Sequence, residues 1–325
     1  MTIGIAAHGP NAGLAVYRSL RAVERVGAGS IGGFAAFGAI SADGKLMRYE
    51  TQRGGTTTLF IEGEITGTHP PPNVATATSA AIISSGPDRP QPEKLLAADT
   101  LAGLVTGHRM PMTAGADGIS VNQQVLNLMK GGHSAQDAVD AVLDRNPEVD
   151  AGLVAVDRSG QVYGRNSARV LRRPDIAEAR ASRAGASVIV FYNSIRPHTV
   201  LAALATEIAL DIMLGLPKPD GQVKVNAGTP VIPGRERAVY CDANNVATHV
   251  TGHDFELVSG QGHCTGIDLG SPVYNGSKLI GHTIFETKII FRNGKLAFVS
   301  DQKSVSFGYR RALAELMALG TSTWT

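Results

Sequence analysis

Cysteine is scarce in this chain. Only Cys241 and Cys264 occur in 325 residues, too few for a disulfide framework, and a reducing compartment is the default expectation. Aromatic residues make up 5% of the chain, and its 30 basic and 28 acidic residues are scattered and nearly balanced, leaving a net charge of +2. That argues against the clustered basic surface and aromatic stacking platform that a nucleic-acid partner requires. No apolar run is long enough to span a bilayer. The longest candidate, Val200 to Leu216, is interrupted by Thr206, Glu207 and Asp211 and reads as a core helix. The first residues lack a basic segment followed by an apolar core, so no signal peptide is expected. A cytoplasmic protein with no nucleic-acid and no membrane partner is the resulting expectation.

What the chain does have is glycine, 38 residues of it, within a 43% hydrophobic composition. That profile suits tightly packed sheets joined by many turns. The apolar run Ile3 to Ala7 reads as a buried strand, Gly9-Pro10-Asn11 as a turn, and Gly13 to Val16 as a second strand. Tyr17 to Val26 fits either a continuing strand or a short basic helix. A central strand is expected within the small-residue stretch 27–41, then a turn at Ala42-Asp43-Gly44-Lys45 and strands at Leu46 to Glu50 and Thr56 to Ile61. Val74 to Ile83 reads as a strand and Glu93 to Thr106 as a helix.

The firmest local signals follow. Val121, Val125, Leu128 and Met129 have helical spacing, and Ser134 caps a second helix with Ala135, Ala138, Val139, Val142 and Leu143 on its apolar side. Ala151 to Val156 and Gln161 to Asn166 form a hairpin across Asp157-Arg158-Ser159-Gly160. Val170 to Gly185 reads as a solvated helix or loop, and Ser187 to Ser194 as a buried strand. Arg196-Pro197 opens a long helix that runs to Leu214 or Gly215. Strands then dominate, including a hairpin turned at Asn293-Gly294, before a closing helix over about Gly308 to Leu319. Strands in adjacent hairpins and helices in adjacent pairs favour an α+β fold with antiparallel sheets and outer helices over an alternating βαβ order.

The chemistry suggested by the start of the chain centres on Thr2. Removal of Met1 would leave a threonine hydroxyl on the same residue as a free α-amine, whose ordinary pKa is about 8. Such an amine can serve as general base for its own side chain. The plain alternative is that Thr2 merely begins a first strand.

Two stretches resemble a known family. One runs from Ala12-Gly13-Leu14-Ala15-Val16 through Arg21-Ala22-Val23 to Gly27-Ala28-Gly29-Ser30-Ile31-Gly32-Gly33. The other comprises Leu126 to Met129, Gly131-Gly132-His133-Ser134-Ala135-Gln136-Asp137-Ala138 and Ala151 to Asn166. Together they resemble a bacterial family of N-terminal-nucleophile (Ntn) hydrolase-like proteins, known mainly as a domain of unknown function. The resemblance implies a four-layer αββα sandwich of two antiparallel sheets flanked by helices. It places Thr2 at the nucleophile position of a single domain over 1–325, with a loop-rich insertion around 54–119.

On that reading the protein is an amidohydrolase cleaving a C–N bond in a small molecule or peptide, with no cofactor. Acyl transfer needs preorganised donors for its oxyanion. Asn166 and Asn193, each ending an expected strand, are candidates, although strand-end asparagines are more often turn residues. Arg18 and Arg165 are candidate clamps for a substrate carboxylate, and Asn122 is either a helix cap or a substrate-binding residue.

Two rivals stand beside this reading. His249, His253 and His263, with Cys264, are ligand types for zinc and would support a metal-dependent hydrolase, although their spacing matches no zinc motif. Ser84-Ser85-Gly86 lacks the surroundings of a nucleophile elbow. The third reading is a non-catalytic small-molecule-binding protein on the same fold. The apolar strands are compatible with a homo-oligomer.

Overall fold

Seven residues from Thr2 form a strand buried along nearly its whole length, and the architecture is laid around it. A computed structural model of the chain describes residues 1–62, 65–66, 69–86, 88–89, 91–215, 218–252, 261–284, 286–298 and 302–311. Of residues 61–62, 65–66, 261–266, 287–289 and 291 it describes the backbone alone. The chain divides into two compact units, Met1–Leu216 and Pro217–Thr325.

The first unit begins with β1 (Thr2–His8), α1 (Ala12–Val26), β2 (Ala35–Ile40), β3 (Leu46–Thr51), β4 (Ile61–Glu62) and β5 (Ile65–Thr66). It continues with α2 (Pro72–Ala75), β6 (Ser79–Ser85), β7 (Ala97–Asp99), β8 (Gly103–Arg109), α3 (Val121–Lys130) and α4 (Ala135–Arg145). It closes with β9 (Ala151–Asp157), β10 (Val162–Asn166), α5 (Ala168–Leu171), β11 (Ile176–Arg183), β12 (Ala186–Asn193) and α6 (Val200–Leu214). Six strands form one sheet in the order β11-β12-β1-β6-β2-β3, and four form another in the order β10-β9-β8-β7. Neighbours within both sheets run antiparallel.

Side-chain alternation along β1 divides the core. Ile3, Ile5 and Ala7 join Val16 and Leu20 of α1 and Ala205 of α6 in one apolar cluster. Ala6 points the other way and joins Ile83 and Phe191 with Leu104, Val154 and Val156 of the four-stranded sheet. That sheet's opposite face, through Val105 and Leu153, meets Val125 of α3 and Val139 of α4. The two sheets approach tightly at Gly4, where an added Cβ would lie 2.2 Å from the Gly107 carbonyl oxygen. Only a residue without a side chain permits that approach.

The second unit holds β13 (Gly221–Asn226), β14 (Val231–Pro233), β15 (Ala238–Cys241), β16 (Ala247–Gly252) and β17 (Gln261–Ile267). After these come β18 (Pro272–Asn275), β19 (Lys278–Thr283), β20 (Thr287–Arg292), β21 (Lys295–Ala297) and β22 (Ser304–Arg310). They build a seven-stranded sheet, β13-β22-β19-β18-β15-β16-β14, and a three-stranded one, β17-β20-β21.

Several expectations are corrected. Gly13 to Val16 lies in α1, because Asn11 at φ 59° turns the chain and the apolar residues Ala12, Val16, Leu20 and Val23 form one helix face. Glu93 to Thr106 is not a helix but a short 3-10 turn followed by the β7–β8 hairpin. The expected strand over Thr56 to Ile61 begins instead as a 3-10 turn, Gly55–Thr57. Val170 to Gly185 contains the edge strand β11, whose exposed side carries Glu178, Arg180 and Ser182, charges that discourage edge-to-edge pairing. Gly308 belongs to β22, and the remainder of the expected closing helix beyond residue 311 lies outside the described residues. No helix among the described residues is long and apolar enough to cross a membrane.

Candidate active site

Thr2 begins β1 between two strand ends. Its register partners are Asn193, which ends β12, and Ser85, which ends β6. Directly opposed residues in a sheet project to the same face, so Asn193, Thr2 and Ser85 form a row facing the four-stranded sheet. All three are buried: Thr2 is 3% exposed, Asn193 0% and Ser85 1%. The Thr2 hydroxyl donates to Asn193 Oδ1 at 3.0 Å and accepts from the Arg109 backbone N–H at 2.8 Å. Arg109 ends β8 at φ 66°, a left-handed conformation that is uncommon outside glycine. Hence both sheets hold one hydroxyl.

Behind this row lies a polar layer. His108 and Asn166 are buried and joined, Nε2 to Oδ1, at 2.7 Å, and Asn166 Nδ2 donates to Glu178 at 3.2 Å. With the Asn166 amide so engaged, Nε2 carries the histidine proton. Burial, opposed by the side chains of Asn166 and Asn193, holds His108 down at about 4, so the ring is neutral. Among the described residues its Nδ1 has no partner of normal hydrogen-bond geometry. On the other side, Asn193 Nδ2 donates to Ser194 Oγ at 3.0 Å, and the Ser194 hydroxyl donates to Asp175. The bond from Arg173, then that from Ser194, keeps the Asp175 carboxyl at about 2, so Asp175 is ionised.

Met1 covers Thr2. Its carbonyl accepts from the Ser85 hydroxyl. Burial, then the charges of Arg109, Arg89 and Arg173, hold the Met1 α-amine below its ordinary value, with Asp175 opposing. Arg109 and Arg173 are themselves paired, to Asp150 at 2.5 Å and to Asp175 at 2.6 Å.

Of the residues singled out in the sequence, Thr2, Asn166 and Asn193 meet in this layer. Arg165, adjacent to Asn166, faces the opposite side of β10, where it pairs with Asp140 and Asp144 of α4 at 3.0 and 2.7 Å. The period-2 alternation of a strand sends these two neighbours apart. Arg18 contacts His69 Nδ1 at 2.7 Å, and Asn122 in α3 donates to the Lys94 carbonyl at 2.8 Å. His249 stacks on Tyr240 with ring centroids 4.4 Å apart. His253 lies outside the described residues, as do the side chains of His263 and Cys264. Among the described residues no three His, Cys, Asp or Glu side chains gather as metal ligands.

Sequence reasoning passed over Ser85, His108, Arg109, Asp175 and Ser194. Ser85 was weighed only as an elbow nucleophile, whereas its place opposite Thr2 arises from strand register. His108-Arg109 follow directly on the stretch Glu93 to Thr106 that reads as helix, and that reading hides the strand β8 whose end carries them.

Residues 228–304 match the family described as Domain of unknown function (DUF7259). No curated protein matches the chain. Residues 2–222 match the family described as Domain of unknown function (DUF6963), and the chain belongs to that family.

Proposed function

We propose that this protein is an Ntn-type amidohydrolase whose nucleophile is the Thr2 hydroxyl, exposed with its α-amine by removal of Met1. In this reading the first unit is a four-layer αββα sandwich. Support for that architecture comes from the three successive apolar clusters, helices on sheet, sheet on sheet, and sheet on helices.

The observation that carries the reading is the setting of the hydroxyl: buried at a strand start and held at 2.8 and 3.0 Å by partners from two sheets. Such fixation leaves little reorganisation for the attacking step. The Thr2 α-amine takes the Oγ proton, and Oγ attacks the acyl carbon of an amide. The C–N bond then breaks as the leaving nitrogen receives that proton, and water hydrolyses the resulting ester to restore the hydroxyl. Buried surroundings and neighbouring arginines depress the α-amine of Met1, one residue before the nitrogen that would serve as base.

The test is a panel of amides and short peptides assayed with the Met1-free protein and its Thr2→Ala variant. Hydrolysis by the former and loss of at least about a thousandfold in the latter is expected. Equal turnover by both proteins would overturn the assignment.

A further inference from the structure

The hydroxyl on the other flank of Thr2 has a task that the two asparagines leave open. An acyl-transfer site needs a donor for the oxygen that gains charge. Asn193 presents its carbonyl to Thr2 and donates one N–H to Ser194. Asn166 is engaged on both sides, by His108 and Glu178. Ser85 is different. Its hydroxyl already donates to a carbonyl oxygen joined to Thr2, that of Met1.

The Ser85 backbone is fixed from both sides. Its N–H bonds to the Phe34 carbonyl at 3.2 Å, and its own carbonyl accepts from Gly33 N–H at 2.7 Å. Gly33 lies so close that an added Cβ would sit 1.2 Å from the Gly86 oxygen. Donors held this way need no reorganisation when charge develops.

We propose that Ser85 is the side-chain oxyanion donor of the Thr2 site, an inference that rests on the Thr2 reading above. The Thr2 nitrogen and Oγ are separated only by Cα and Cβ, so acyl carbons carried on the two occupy neighbouring positions. A hydroxyl that reaches the oxygen of the first is therefore placed to reach the oxygen of the second. Loss of Met1 frees it. As Oγ bonds to the substrate carbon, the carbonyl π pair moves onto oxygen and Ser85 O–H donates to it. When the C–N bond breaks the pair returns, the leaving nitrogen takes the proton from the Thr2 ammonium, and the ester carbonyl keeps the Ser85 bond.

An alkyl β-lactone tests this without a known substrate. Attack by Thr2 Oγ opens the ring by breaking its acyl C–O bond, the departing alkoxide takes the proton, and the protein gains the whole mass of the probe. Each full-length variant is first treated with methionine aminopeptidase and checked by intact mass to begin at Thr2. Wild type is expected to be acylated, with the adduct mapped to Thr2. Ser85→Ala should react roughly 100-fold more slowly, with the same pH midpoint because the amine base is untouched, and Ser85→Thr should retain most of the rate. If Ser85→Ala does not fold, Ser85→Cys replaces it, with the same loss expected. Acylation of wild type at Thr2 with a hydroxyl-free variant within about twofold would overturn the Ser85 role alone. No adduct at Thr2 in wild type would overturn the nucleophile and Ser85 with it.

Discussion

Single residues in the inter-sheet layer have strong and separable consequences. His108 is fully buried and held at about 4, chiefly by burial. In the unfolded chain it takes a proton near its ordinary value of about 6.5. Stability conferred by keeping it neutral is therefore complete above that value and falls as pH drops toward the folded value. The expected loss between about pH 7.5 and about pH 5 is roughly 2 kcal/mol from this residue. Urea unfolding at both pH values measures it. His108→Gln should lack this component, and an equal loss in the variant would show that other groups govern the response. Asp175 responds in the same direction over a lower window: its depressed pKa adds stability above the ordinary carboxylate range that is lost as pH falls toward about 2.

Elements set where those residues point. The approach of β1 to β8 depends on Gly4, since a methyl there would meet the Gly107 carbonyl at 2.2 Å. Gly4→Ala should cost about 3 kcal/mol and loosen the contact that brings Arg109 N–H onto Thr2, read as a lower unfolding midpoint together with slower Thr2 acylation. Normal acylation would mean that the two sheets are not keyed by this contact. Helix α4 offers a milder case. Ser134 Oγ accepts from the Asp137 N–H at 3.1 Å, so Ser134→Ala should cost about 1 kcal/mol and leave Thr2 chemistry unchanged. That cap was readable from sequence, as were the hairpin of β9 and β10 and the strand β12, because each carries its own periodicity and punctuation. The start of α1 was not, because the apolar run from Ala12 to Val16 satisfies both strand and helix until Leu20 and Val23 extend the helical stripe.

At the scale of the whole chain, two units carry separate cores, the second around Val223, Val239 and Phe307. Every residue of the candidate site belongs to the first unit. Met1–Leu216 produced alone should unfold cooperatively and react at Thr2; an unfolded fragment would show that its three clusters are not sufficient. Asn166 and Asn193 could be picked from sequence because they end strands with clear patterns. Ser85 and His108 could not, since their relation to Thr2 arises from register between strands far apart in the chain. Arg165 shows the converse: adjacent to Asn166 in sequence, it is sent to the other face by the pleat.

Everything chemical in this account depends on Thr2 becoming the first residue. Intact-mass measurement of the protein purified from its native cells, with sequencing of the N-terminal peptide, addresses that directly. The account predicts a chain lighter by one methionine and a peptide beginning Thr2-Ile3-Gly4. A chain that keeps Met1, with its carbonyl still on Ser85 and no free amine on Thr2, would contradict it.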